Sequence, residues 1–204
     1  MAQDVKTQST NFFNELVAPL ISFKPRPEIT IETVPAPQKL APFALALSAD
    51  VLDDLAIGRF VLLHDPAGQE GWAGKFRAVT FARADIELEM AKDPLLGNIA
   101  WTWLKESLQK YGCDFHAPSG TVTRVASESF GALSDRDAQS ELEIRASWTP
   151  TSEVNLVAHL QSWLDLLSMC AGLSPIEHNE LTARNTGGTS NSRNNSGATS
   201  LKRS

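Results

Sequence analysis

Gln139-Ser140-Glu141-Leu142-Glu143-Ile144-Arg145-Ala146-Ser147-Trp148-Thr149 is the stretch that decides the fold. Leu142, Ile144, Ala146 and Trp148 alternate with Glu141, Glu143, Arg145 and Ser147. Successive side chains of a strand point to opposite faces, so this pattern describes a strand with one face in a core and one in water. One-sided strands of this kind belong to antiparallel sheets. Upstream, residues 121–130 are strand-like, and Gly131 and Asp135 between the two runs mark a hairpin. Working back toward the N-terminus, residues 75–84, 59–64 and 43–49 read as further strands. Residues 29–34 alternate and then meet Pro35 and Pro37, the signature of a short edge strand.

Three segments carry the helical period instead. Phe13, Leu16, Val17, Leu20 and Ile21 form the first stripe, with Ser9 or Thr10 as its cap and Pro19 expected to kink it or spoil its last turn. Asp93 as N-cap and Pro94 at the first helical position open a second, with Leu96, Ile99, Ala100, Trp103, Leu104 and Tyr111 on its stripe and Gly112 at its end. Leu156, Val157, Leu160, Trp163, Leu164 and Leu167 form the third, entered near Ser152 and closed by Gly172. The order is α-β-β-β-β-α-β-β-α. Consecutive hairpins and one-faced helices specify an α+β, two-layer domain: an antiparallel sheet of five to six strands covered by three helices.

The chain has 204 residues and a net charge of −6. From residue 178 onward, Arg184, Arg193, Lys202 and Arg203 stand against Glu180 alone, a net of +3, which leaves −9 on the rest. This division predicts a single domain over residues 1–177 and a disordered, basic, Asn/Ser/Gly-rich tail over 178–204. An acidic domain repels a phosphate backbone, so direct nucleic-acid binding by the folded part is disfavoured. No apolar run reaches the roughly 20 residues of a membrane helix. The polar N-terminus and the two cysteines, Cys113 and Cys170, fit a cytoplasmic protein.

Several segments resemble an actinobacterial family known as domain of unknown function 3000. They are residues 60–70 (Phe-Val-Leu-Leu-His-Asp-Pro-Ala-Gly-Gln-Glu), 93–96, 119–125 and 144–149, with 34–38 and 40–42, and they cover most of residues 28–173. The resemblance implies a cytosolic protein without assigned activity or catalytic residues. It also implies a gene often found beside a ribonuclease D-like exonuclease.

No catalytic constellation is complete. In residues 68–75, Gly68 and Gly74 enclose five residues where a phosphate loop has four, and Phe76 stands where a magnesium-binding hydroxyl belongs. Ser107 and Lys110 match S-x-x-K without the companion motifs of serine acylases. Cys113 and His116 have zinc-ligand spacing, but Cys170 and His178 are the only distant completions of a four-ligand set. Asp85, Glu87 and Glu89 would share one face of a strand and offer carboxylates to a metal or to acid-base chemistry, although a solvated face explains them as well. No catalytic residue, metal or cofactor is therefore assigned.

The candidate binding residues are Trp72, His64, Asp65, Arg124, Glu128 and Arg145. Trp72 is expected at an exposed loop tip, where it would anchor a partner, and His64 partly buried beside the hairpin mouth. Arg124 and Glu128, four apart on one strand, are expected to pair with Arg145 or Glu143 in a cross-strand ladder or to line a ligand patch. The functional expectation is a non-catalytic protein-interaction domain that binds a protein partner or forms a homodimer. The element order resembles secretion-chaperone-like α/β proteins. The alternatives are an enzyme with an unrecognised site, hydrolytic or metal-dependent, and an accessory factor to RNA metabolism acting through a ribonuclease D-like partner.

Overall fold

In a computed structural model, residues 2–174 are described, without side chains for residues 2–6. Helix α1 (Ala2–Ile21) leads into strands β1 (Ile29–Val34), β2 (Phe43–Val51), β3 (Ala56–Gln69) and β4 (Gly74–Asp85). Helices α2 (Leu88–Lys92) and α3 (Leu96–Lys110) follow, then β5 (Phe115–Ser127), β6 (Gln139–Pro150) and α4 (Leu156–Cys170). All six strands form one antiparallel sheet in the order β1-β2-β3-β4-β6-β5. The α+β two-layer expectation is met, with six strands. The tail expected from residue 178 onward lies outside the described residues.

Alternation sets the layers. Leu45, Leu47, Phe60, Leu62, Ala78, Ala82, Leu142, Ile144 and Trp148 point to one face, where the helices bury them. Helix α4 lies over the middle of that face, and Leu160, Trp163, Leu166 and Leu167 are fully buried in it. Gly58 makes room for it. A Cβ there would stand 2.8 Å from Leu167 and 2.9 Å from the Trp163 ring. Gly120 has a harder constraint, because its Cβ would meet the Arg145 carbonyl oxygen at 2.2 Å and the Trp101 ring at 2.9 Å. Backbone cannot swing aside as a side chain does. Gly120→Ala should therefore cost about 2 kcal/mol in a urea melt; an unchanged midpoint would show that β5 shifts freely against β6.

Three local expectations need correcting, and a fourth, at Pro19, is narrowed to its first alternative because the helix is not short. A fourth, five-residue helix, α2, occupies the segment read as a continuation of β4, so Asp85, Glu87 and Glu89 do not share a strand face. Asp85 ends β4, Glu87 caps α2 and Glu89 lies inside it, where it pairs with Lys92 at 3.7 Å. Helix α3 starts at Leu96 rather than at Pro94, and the Asp93 carboxylate instead accepts the Leu95 N–H at 2.8 Å in the turn before it. Strand β5 ends at Ser127, short of the expected residue 130, and so excludes Glu128. Helix α1 continues through Pro19, which lies exposed in its last turn.

Candidate functional site

Among the described residues, no α-helix lies on the second face of the sheet. At the end near the β3–β4 hairpin, Ala46, Val61 and Leu63 form a small apolar cluster there, covered by Val34, Ala36, Ala41 and Trp72. The rest is open, and its residues follow from the strand registers. Glu32 lies opposite Ser48, Ser48 opposite Arg59, Arg59 opposite Phe81, Phe81 opposite Arg145, and Arg145 opposite Thr121. One straight row thus crosses all six strands, with Phe81 at its centre and an arginine on either side. Arg145 stacks its guanidinium 5.5 Å from the Phe81 ring centroid and pairs with Glu143 at 2.8 Å. Two hollows meet at Arg59 and Phe81, of about 390 Å³ toward β5 and about 650 Å³ toward β1.

Arg77 lies behind the first hollow, bonded to Ser119 and Ser147, which line it. Only 9% exposed, its guanidinium donates to the Ala117 carbonyl (3.1 Å) and to the hydroxyls of Thr149 (3.0 Å), Ser119 (3.1 Å) and Ser147 (2.7 Å). All four acceptors are neutral. Burial alone lowers its affinity for a proton. The Ala117 backbone adopts a left-handed conformation (φ 49°) within an irregularity of β5 between His116 and Ser119, and Arg77 holds that irregularity in place.

The six candidate residues named above do not converge. Trp72 is half-buried in a short 3-10 turn and packs on the apolar cluster, while its carbonyl accepts the Thr149 hydroxyl at 2.7 Å. It covers the sheet rather than projecting from a tip. His64, 3% exposed, lies on the helix side among Phe12, Phe13, Phe43 and Phe76, with ring centroids 4.4 to 5.9 Å away. Its Nδ1–H donates to the Lys75 carbonyl at 3.3 Å, and burial lowers its pKa. Asp65 points away from it and shapes the hairpin, accepting the Ala67 N–H (3.0 Å) and the Gln69 side-chain amide (3.1 Å). The pair is not an acid–base dyad.

Arg124 and Arg145 occupy opposite faces. Arg124 is in register with the core residue Leu142, on the helix side, and donates to the carbonyls of Ala91 and Asp93 at the end of α2. Arg145 bonds Glu143 on its own strand, so the expected cross-strand ladder does not form. Only Arg145 belongs to the open face. Sequence reasoning missed Arg59, Arg77, Phe81, Ser119 and Ser147. The parity signal was blurred, because Arg59 is in phase with Val61 and Leu63, and Arg77 and Phe81 with Val79, so both faces of β3 and β4 carry apolar residues.

The remaining motifs have structural explanations. Ser107 and Lys110, one helical turn apart, both hold Asp165 of α4, at 3.1 and 2.9 Å. S-x-x-K here is a clasp between two helices. Cys113 is buried against the Ser162 hydroxyl at 3.2 Å, and burial pushes its thiol up to about 11, far from a reactive thiolate. Cys170 is pushed up to about 12 by the same cause. Among the described residues no group of three His, Cys, Asp or Glu side chains could hold a metal. His178 falls outside them. Residues 68–75 join β3 to β4 as a hairpin, which agrees with the rejection of a phosphate loop.

The family described as "Protein of unknown function (DUF3000)" matches residues 9–179. The chain belongs to that family. The match runs from α1 to beyond α4 and so takes in every strand of the sheet and both hollows. No curated protein and no solved structure matches the chain. Among the described residues no helix is long and apolar enough to cross a membrane.

Proposed function

We propose that this protein is a non-catalytic protein-interaction domain, with the helix-free face of its sheet as the binding surface. One observation carries the reading: an aromatic side chain flanked by two arginines sits at the centre of a six-stranded face that no helix covers among the described residues. Aromatic and arginine side chains are the residues that most often dominate binding energy at protein interfaces. The face is broad, shallow and open, which suits an extended polypeptide better than an enclosed small molecule. A chaperone-like or accessory role in the cytoplasm is consistent with such a surface.

The test is retention of a stoichiometric partner by the purified chain. Arg59→Glu and Phe81→Ala should each reduce retention at least tenfold while leaving the melting temperature within a few degrees. Lys105→Glu, exposed on α3, should retain the partner fully. Equal retention by all three variants would remove the open face as the binding surface. A hydrolytic turnover that disappears in His64→Ala would replace the reading with an enzyme.

A further inference from the structure

The buried Arg77 has a consequence for the hollow of about 390 Å³ beside it. Ser119 and Ser147 each accept an N–H from Arg77, so each hydroxyl keeps its own hydrogen to donate. The two oxygens are 3.3 Å apart, close enough for one to donate to the other. One hydroxyl hydrogen then remains for the hollow, which both serines line together with Arg59, Thr121 and Arg145. An Arg–hydroxyl chain of this kind polarises its last donor, because each bond strengthens the next. The guanidinium charge that drives it is met by no carboxylate of its own. Among the described residues no carboxylate meets Arg77, so the serine wall of the hollow offers a polarised donor to an outside acceptor, beside an Arg145 whose charge Glu143 shares.

We propose that this hollow binds a single carboxylate, an acidic side chain of a partner polypeptide lying extended across β4, β6 and β5. The inference rests on the protein-interaction reading and adds the chemistry of the occupant. Charge selects a peptide over a polyanion. Glu32, Asp50 and Glu143 share the open face with the arginines, and the domain as a whole is acidic, so a chain of phosphates meets repulsion on either side of the hollow. A single carboxylate carries one charge into the hollow, where the Ser119–Ser147 donor, Arg59 and an Arg145 shared with Glu143 face it, and so meets less of that repulsion than a chain of phosphates.

The probes are two blocked pentapeptides, Thr-Val-Glu-Val-Thr and its counterpart with Gln at the centre, titrated into the full chain by heteronuclear NMR. The glutamate peptide should bind at least tenfold more tightly, with the largest shifts at Ser119, Gly120, Arg145 and Ser147. Ser147→Ala and Arg59→Gln should each weaken it about tenfold, and added salt should weaken it further. Arg77→Met is avoided as the main test, since it also removes the support of β5. Equal affinity for the two peptides, or shifts confined to another surface, overturns the proposal. Inorganic phosphate or a short single-stranded DNA binding more tightly at the same residues overturns it too. If the peptide fails while Phe81→Ala still abolishes partner retention, the carboxylate is wrong and the binding face stands. If both fail, the face itself is wrong.

Discussion

Trp163→Ala should lower the unfolding free energy by about 3–5 kcal/mol, the largest single effect expected in this chain. The indole is fully buried at the middle of α4, with its ring centroid 5.6 Å from that of Phe60. Its edge occupies the space that Gly58 leaves empty on β3, and its Nε1–H donates to the Phe81 carbonyl at 3.5 Å. Truncation opens a cavity between helix and sheet that glycine cannot help to fill, and most of the cost comes from that void. Urea melts give the difference directly. A loss below about 1 kcal/mol would mean that α4 is not the central cover of the sheet.

Acid should destabilise the protein through His159, by about 3 kcal/mol between pH 6.5 and pH 4. The imidazole is 2% exposed on α4, and its Nδ1 accepts the Trp148 indole N–H at 3.0 Å. Burial depresses its pKa from 6.5 to about 4, although Asp114 pulls weakly the other way. A depressed folded-state pKa means that the unfolded chain binds the proton first. The neutral imidazole's contribution is therefore complete above pH 6.5, declines as the pH falls, and is gone below about pH 4. His159→Gln keeps an acceptor and removes the titration. Parallel melts of the two proteins should separate by that amount over this window, while carboxylates common to both cancel in the difference. Parallel pH profiles would show that His159 is charged in the fold or reached by water.

The residue pattern was informative about elements and nearly silent about neighbours. Leu142, Ile144, Ala146 and Trp148 face the core as their alternation requires, and the stripe of α4 lies where its period places it. Parity along one strand cannot fix register with the next. Arg124 and Arg145 were compatible with one face until the pairing of Arg124 with Leu142 put them on two. The same limit hid the row through Arg59, Phe81 and Arg145, which exists only because three strands align there. Trp72 misled for another reason. The segment after β1 folds back over the outer face, and an indole that looked free had an apolar bed on its own chain. Short α2 was missed because five residues are too few to display a helical period.

The strand order has a further meaning for how the protein is made. Strand β6 is inserted between β4 and β5, so β4 leaves the ribosome without the neighbour that will complete its ladder. Two helices and the whole of β5 are translated before that neighbour exists, and β5 itself pairs only with β6. Helix α4, the central roof of the apolar side, is the last of the described elements. A nascent chain halted before Leu156 therefore lacks the central cover of its apolar sheet, the kind of surface on which growing polypeptides stick to one another. Completion of the sheet awaits β6, and its central roof awaits α4, so a chain that stops ahead of α4 keeps that apolar surface open.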